Sequence, residues 1–222
     1  MKTDLELQED VQDAIKREPL LNAAEIGVIV KDGVVSLTGV VDNYAKKIEA
    51  EFATKKVIGV KALVENIEVK FSGSLNISNV EIAKEVLNAL KLNTSVPQEK
   101  ITVKVEDGWV SLEGELSWNY QREAAKNAVI YLNGVKGVSN NILIKLETPD
   151  AIEQLEVKNA LDRILGCKDL DIHVNVSGTK VILTGTVGTI YIKEEASRIV
   201  WNTPGIESVE NNLEVDYFYE LG

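Results

Sequence analysis

One pattern is written three times along this 222-residue chain. Each copy opens with an alternating apolar run, continues through a turn into a second run that ends in glycine, and then has a helical segment that ends in another glycine. The copies cover residues 26–69, 101–144 and 172–215, and they align without a gap at offsets of 75 and 71 residues. Because a unit of about 70 residues can hold a core of its own, we expect three tandem domains and not a solenoid.

The periodicity inside each copy predicts the order helix, strand, strand, helix, strand. Apolar residues recur at helical spacing before each alternating run, as Leu7, Val11 and Ile15 do in copy one. A crossover through a helix brings the third strand back beside the hairpin. The predicted fold class is therefore α+β, with three tandem αββαβ domains, each a three-stranded mixed sheet with two helices on one face.

The domain limits follow from composition and from helix start signals. Ser-Gly-Ser marks a flexible linker after copy one, and Thr3 with Glu6 reads as a capping box at the first helix. The second helix of each copy should begin at a cap residue, for which we expect Asp42, Ser117 and Gly188. The predicted segments are domains at 1–71, 78–146 and 148–216, a linker at 72–77 and an aromatic tail at 217–222.

Glycines and asparagines recur at matching places in the copies and are expected to have structural roles. Asp-Gly turns predict tight hairpins in copies one and two, whereas Ser177-Gly178-Thr179 predicts a different turn in copy three. A glycine that ends a strand usually adopts a positive φ or allows a close backbone approach. The recurring positions are Gly33, Gly39, Gly59, Asn66, Gly108, Gly114, Gly134, Asn141, Gly185, Gly205 and Asn212.

Charge and composition narrow the classes of partner and compartment. The chain carries 24 Lys and Arg against 35 Asp and Glu, and residues 148–222 alone hold 6 basic and 13 acidic residues. An acidic surface repels phosphate backbones, so nucleic acid is not expected as a partner. The single cysteine allows no intrachain disulfide, the first residues lack a signal-peptide core, and no apolar run reaches about 18 residues. We expect a cytoplasmic protein without a transmembrane segment, or a periplasmic one if a leader has been removed.

The combined motif of each copy is similar to a known domain. Copy one has Gly33-Val34-Val35-Ser36-Leu37-Thr38-Gly39 followed by Gly59-Val60 and Asn66-Ile67, and copy two repeats it from Gly108 to Ile142. Copy three departs from it at Thr179 and Ile206. This pattern resembles the BON domain, named for bacterial osmotically inducible and nodulation proteins. The resemblance implies a phospholipid- or membrane-associating module linked to osmotic or envelope stress, with no established catalytic residues.

Two groups of side chains are candidates for lipid or partner binding. Lysines cluster on and just after the second helix of copy one, and an anionic leaflet attracts each nearby lysine by about 1 kcal/mol. Aromatic residues of copy two are expected near its solvated side, where such residues favour membrane or partner contact. A solvated helix face and packing between domains are the alternative interpretations. The candidates are Lys46, Lys47, Lys55, Lys56, Lys61, Trp109, Trp118 and Tyr120.

No residue pattern points to catalysis or to a metal. His173 should face outward from a strand, and Cys167 reads as a small buried side chain. The chain lacks a phosphate-binding glycine loop, a nucleophile elbow and a calcium-binding loop, so Asp32, Asp42 and Asp107 are expected to serve turns and caps. We expect no enzyme activity and no cofactor. The leading interpretation is a binding module for phospholipid head groups or a membrane-associated partner; a protein scaffold or assembly role and a holdase-like role are the alternatives.

Overall fold

The computed structural model describes residues 2–71, 77–145, 154–165 and 171–216. Within them the chain forms helix, strand, strand, helix, strand three times, which confirms the α+β fold and its three mixed three-stranded sheets. The elements are α1 (Asp4–Arg17), β1 (Ile26–Lys31), β2 (Val34–Val41), α2 (Tyr44–Lys55), β3 (Ala62–Val69), α3 (Asn79–Leu92), β4 (Ile101–Glu106), β5 (Trp109–Leu116), α4 (Asn119–Val129), β6 (Gly137–Ile144), α5 (Gln154–Leu165), β7 (Asp171–Ser177), β8 (Lys180–Val187), α6 (Ile190–Trp201) and β9 (Ser208–Val215).

The chain packs as two compact units. One unit contains Met1–Val40, Ile48–Glu68 and Asp150–Gly222, so it joins most of copy one to copy three. The other contains Val41–Lys47 and Val69–Pro149, which is essentially copy two. The predicted linker at 72–77 and tail at 217–222 fall almost wholly on residues that the structure does not describe.

In every sheet the second strand of the copy lies in the middle. The orders are β1-β2-β3, β4-β5-β6 and β7-β8-β9. The first two strands pair antiparallel, with Ile26 opposite Gly39 and equivalent pairs in the other copies. In copies two and three the last strand runs parallel to the middle one, with Trp109 opposite Gly137 in copy two. A parallel return needs a crossover, and α4 and α6 supply it.

The first helix of a copy forms because its apolar residues are spaced to face the sheet. Leu7, Val11 and Ile15 of α1 are buried one turn apart, and α3 repeats the pattern. Capping boxes start both helices, as the sequence predicted: the Thr3 hydroxyl accepts from the Glu6 N–H, while the Glu6 carboxylate accepts from the Thr3 N–H at 2.7 Å. These bonds satisfy amide groups that have no partner inside the helix.

The second helix of each copy begins one residue later than the sequence predicted. Asp42, Ser117 and Gly188 were expected as N-caps, but this assignment is wrong. Asn43 caps α2 by accepting from the Lys46 N–H at 2.9 Å, and Thr189 caps α6 by accepting from the Ile192 N–H at 3.1 Å. Trp118 takes the position in α4 without a side-chain bond. The middle strand continues through Val41, Leu116 or Val187, so one further residue has to turn the chain before the cap.

The hairpin turns differ between copies for a steric reason. Asp32 and Gly33 both have positive φ (54° and 79°), as do Asp107 and Gly108, which is the pattern of a type I′ turn. In the hairpin turn of copy three only Gly178 has a positive φ, at 62°. Threonine is β-branched and disfavours that conformation, so the single glycine moves to the first turn position, as in a type II′ turn.

The core of copy three shows how the two helices and the sheet fit together. Val157 and Leu161 of α5 meet Ala196, Ile199 and Val200 of α6 over the inward side of the sheet. The sheet contributes Val174, Val181, Leu183, Val187 and Leu213. Burying each Val, Leu or Ile side chain stabilises a fold by about 1.5–3 kcal/mol, so this core is a main source of stability for copy three.

Candidate functional site

The lysines at the end of α2 are engaged in ion pairs inside the protein. The Lys55 Nζ atom lies 2.6 Å from a carboxylate oxygen of Glu51, one turn earlier on the same helix. It also donates to a carboxylate oxygen of Glu194 on α6 of copy three at 2.7 Å. As a result the Lys55 side chain is only 18% exposed. A lysine that the sequence suggested as a candidate for lipid or partner binding is therefore held between two carboxylates.

An aromatic contact lies beside this ion pair. The rings of Phe52 and Tyr191 meet edge to face, with centroids 5.2 Å apart and an interplanar angle of 89°. The Lys56 ammonium stands 3.9 Å from the Phe52 centroid and 5.7 Å from the Tyr191 centroid, within the range of cation–π attraction. We call Phe52, Lys55, Lys56, Tyr191 and Glu194 the α2–α6 cluster.

The electrostatics of the cluster keep Lys55 protonated. Burial lowers the pKa of Lys55, but hydrogen bonds to Glu194 and Glu51 outweigh burial, and the net pKa is raised. Close by, burial and the neighbouring Glu18 carboxylate raise the pKa of Glu49. The cluster therefore holds one cation between two carboxylates and has further carboxylates close by.

The structure does not bring all five predicted lysines together. Lys46 lies in the first turn of α2, where it pairs with Asp42 at 2.9 Å, and Lys47 lies beside it. Lys55 lies in the last turn, which is nine residues and about 13 Å further along the helix axis. Lys61 follows the helix, and its N–H donates to the Gly33 carbonyl. Lys55 and Lys56 belong to the α2–α6 cluster with Phe52 and Tyr191.

The three aromatic candidates of copy two lie at two different places. Trp109 is the first residue of β5, whereas Trp118 and Tyr120 follow its last residue. A strand of eight residues spans roughly 25 Å, so Trp109 is remote from the other two. Trp118 and Tyr120 are 40% and 54% exposed at the start of α4. Both side chains are exposed and lie apart from Trp109.

In copies two and three, the asparagine that precedes each recurring asparagine bonds the last strand to the helix. Asn66, Asn141 and Asn212 are exposed within the last strands and do not begin them. Instead Asn140 donates to the Arg122 carbonyl of α4 at 2.9 Å, and Asn211 donates to the Lys193 carbonyl of α6 at 2.6 Å. The sequence held a signal for this, since Asn140 shares the alternation of buried Ile142 and Ile144 and so faces the helix.

The titratable residues singled out in the sequence have ordinary surroundings where they are described. The His173 imidazole is 74% exposed and lies 3.1 Å from an Asp171 carboxylate oxygen. Cys167 falls outside the described residues. Among residues 2–71, 77–145, 154–165 and 171–216, no three His, Cys, Asp or Glu side chains are placed to hold a metal ion. In the same residues no helix is both long and apolar enough to cross a bilayer.

The sequence did not reveal Tyr191 and Glu194 as members of a site. They come from copy three, where single residues at a helix start carry no periodic signal. Phe52 could have been found, because Ala50, Ala53, Thr54 and Val57 recur at helical spacing and so predict a buried stripe that leaves residue 52 on the opposite side of the helix. A large aromatic residue there requires a partner or remains exposed.

With the geometry established, comparison with known proteins decides the family. The BON domain family matches the chain three times, over residues 3–70, 78–145 and 149–217. The chain belongs to the BON domain family. Each BON match coincides with one αββαβ copy, so the family signature and the observed folding unit agree.

Among characterised proteins, one BON relative is the osmotically-inducible protein Y of Escherichia coli (strain K12). It is 27% identical over 129 residues, which is 56% of this chain. The chain spans 64% of the length of that relative. The chain is therefore similar to a protein that is named for osmotic induction.

Solved structures give weaker likenesses. CdsD, a structural protein of the type III secretion system of Chlamydia trachomatis, is 18% identical with a TM-score of 0.25, over 94% of this chain and 91% of that one. Its C-terminal domain is 17% identical with a TM-score of 0.26, over 97% and 100% of the two chains. TM-scores this low carry no information on the function of this chain.

Proposed function

We propose that this chain is a non-catalytic BON-domain binding protein that associates with phospholipid head groups through the end of α2. The observation that carries the proposal is the placement of Phe52, Lys55 and Lys56 in one cluster. Helices that bind membrane surfaces combine aromatic rings, which enter the interfacial region, with lysines, which attract anionic lipids. Within this cluster the Lys56 ammonium lies 3.9 Å from the centroid of the Phe52 ring, so a lysine and an aromatic ring are in direct contact.

The proposed affinity is low and depends on salt. Each lysine near an anionic leaflet contributes about 1 kcal/mol, so Lys55 and Lys56 supply about 2 kcal/mol. The chain as a whole is acidic, with a net charge of −11, and the remaining surface opposes this attraction. Ions screen such contacts over about 10 Å at 0.1 M salt, so moderate salt should release the protein.

Co-sedimentation with vesicles tests the proposal. Vesicles of phosphatidylcholine mixed with phosphatidylglycerol should pellet the protein at low salt, whereas pure phosphatidylcholine should not. Lys55→Glu with Lys56→Glu should abolish pelleting. A matched control changes two exposed lysines of copy two, Lys104→Glu with Lys145→Glu, and should keep most of it. Absence of pelleting with both lipids at every salt concentration would refute the lipid role.

The relative named for osmotic induction supports a setting in osmotic stress. During osmotic stress, lipid association would place the protein at the membrane surface, which water loss affects directly. A cytoplasmic location is the compartment that we propose for this role. Fractionation of cells grown with and without added solute would test it, since the proposed role requires the membrane-bound share to change.

Protein assembly is a second candidate, favoured by the exposed Trp118 and Tyr120. Aromatic residues that lie half in solvent are enriched where proteins meet. Self-assembly predicts a mass that rises with concentration and that returns to the monomer value in Trp118→Ala with Tyr120→Ala. Light scattering after size-exclusion chromatography measures this mass, and an unchanging monomer would exclude self-assembly through these residues.

A further inference from the structure

The α2–α6 cluster joins residues that lie far apart in the sequence. Lys55 and Glu194 are 139 positions apart, yet their side chains are in hydrogen-bond contact. The chain between them includes all of copy two. A contact that closes such a long loop forms only if the two surfaces are complementary, since loop closure costs conformational entropy.

The two surfaces complement each other in both charge and shape. Residues 148–222 carry the largest acidic excess of the chain, and Glu194 presents one of those carboxylates to the Lys55 ammonium. Three residues before it on α6, Tyr191 places its ring against Phe52. Copy three therefore offers α2 an anionic group beside an apolar one, which are the two components that an anionic lipid surface would offer.

We propose that copy three is an internal competitor that covers the lipid-binding end of α2, so that head groups bind only after α6 has left it. This inference rests on the proposed lipid function. A head-group phosphate needs the Lys55 ammonium, which Glu194 and Glu51 already hold. An interfacial position needs the Phe52 ring, which Tyr191 contacts. Removing α6 uncovers the Phe52 ring and takes away Glu194, which leaves Lys55 paired with Glu51 on its own helix.

The contact has the properties of a reversible cover. The Glu194 side chain remains 55% exposed and Phe52 remains 38% exposed, so water reaches both sides of the contact. The ion pair is open to water on the Glu194 side, and salt screens charge pairs that water reaches. A contact of this kind can open without unfolding the cores of copies one and three, which involve other faces of the two helices.

The test uses the full chain and weakens the contact between α6 and α2 by substitutions in copy three. The released variant is Tyr191→Ala with Glu194→Gln, and Glu194→Gln alone is a milder form that retains the ring. The matched control is Glu195→Gln, which makes the same charge change on the same helix but removes a pair with Arg198 within α6. Circular dichroism and thermal unfolding establish that each variant is folded.

Two measurements are made on each protein. Acetylation of lysines followed by mass spectrometry reports whether Lys55 is covered, and its labelling should rise in the released variant and remain low in the control. Pelleting with phosphatidylcholine–phosphatidylglycerol vesicles reports binding. If α6 covers α2 in nine molecules of ten, release should increase the apparent affinity about tenfold. Lys55→Gln with Lys56→Gln should cancel that gain.

The outcomes separate this inference from the proposed function. Increased labelling with increased pelleting, lost again on removing the lysines, supports both. Lysine-dependent pelleting that is equal in the wild type, the control and the released variants overturns the internal competitor and leaves the lipid function standing. Increased Lys55 labelling with no pelleting of any variant overturns the lipid function, and the competitor with it.

Discussion

The indole ring of Trp109 lies on the backbone of Gly137, which is its partner in the parallel register of β5 and β6. A Cβ atom at Gly137 would come within 2.3 Å of the ring. The indole N–H donates to the Ser139 hydroxyl at 2.8 Å, so the ring is held across two residues of the same strand. This contact orders an aromatic side chain that is still 48% exposed.

We predict that Gly137→Ala pushes the Trp109 ring into solvent. The added methyl group and the ring cannot occupy the same space, and a surface side chain moves more easily than a strand. The expected cost is about 1 kcal/mol, chiefly from the lost hydrogen bond and ring contact. Denaturant unfolding and a red-shifted tryptophan emission measure the effect. Ser139→Ala, which removes the bond alone, should leave the ring in place, and unchanged emission in Gly137→Ala would contradict the prediction.

A second prediction concerns the first helix and the hairpin turn of copy one. The Asp4 carboxylate accepts from the Asp32 N–H at 2.8 Å and from the Gly33 N–H at 3.1 Å. Asp4→Ala leaves both turn amides without this acceptor and should destabilise the fold by about 1–2 kcal/mol. Asp4→Asn should recover much of the loss, because Asn79 makes the equivalent bond to the Gly108 N–H in copy two. Equal melting temperatures for the Ala and Asn variants would be the contrary result.

A third prediction compares two glycines with different surroundings. At Gly39 a Cβ atom would lie 2.0 Å from the Glu25 carbonyl oxygen, whereas at Gly178 nothing lies within 4 Å. Gly39→Ala should therefore cost about 3 kcal/mol or more, because the backbone of two segments must separate. Gly178→Ala meets only the positive φ of 62° and should cost about 1 kcal/mol. Chemical denaturation of both variants gives the comparison, and similar costs would show that the close approach is not limiting.

A fourth prediction gives the pH dependence of the capping boxes. The hydrogen bonds from the Thr3 N–H and hydroxyl lower the pKa of Glu6, and Ser78 does the same for Glu81. A carboxylate whose pKa is lower in the folded state stabilises that state above its unfolded pKa of about 4.3, and the contribution is lost as the pH falls through the folded value. Glu6→Gln keeps a cap that does not titrate. Below about pH 4 the melting temperature of Glu6→Gln should fall less steeply with pH than that of the wild type. If the melting temperatures of the two proteins fall in parallel, the Glu6 carboxylate does not contribute to the pH dependence.

The order of the elements could be predicted because the determining signals are local. Helical and alternating periods, capping boxes and Asp-Gly turns depend on neighbours within a few residues, and all of them recur in the copies. The start of the second helix was misplaced because Asp42 and Asn43 are both good caps, and the choice between them depends on where β2 leaves the sheet. Local propensity cannot supply that information.

The candidate site could be predicted only in part, for a different reason. The lysines of α2 were visible as a cluster in the sequence, but their partners were not, since Glu51 is local whereas Glu194 is reached through tertiary packing. Spacing along the helix also separates Lys46 from Lys55. Charge counting therefore overestimated the free positive charge on this helix.

The contact between Phe52 and Tyr191 also affects how the protein should be divided for experiments. A fragment that ends after copy two would lack the Tyr191 ring that contacts Phe52, because Tyr191 belongs to copy three. Such a fragment would expose the end of α2, which α6 partly covers in the full chain. Under the proposed competition, the affinity measured with such a fragment would exceed that of the intact protein, so truncation series on this chain need α2 and α6 on the same polypeptide.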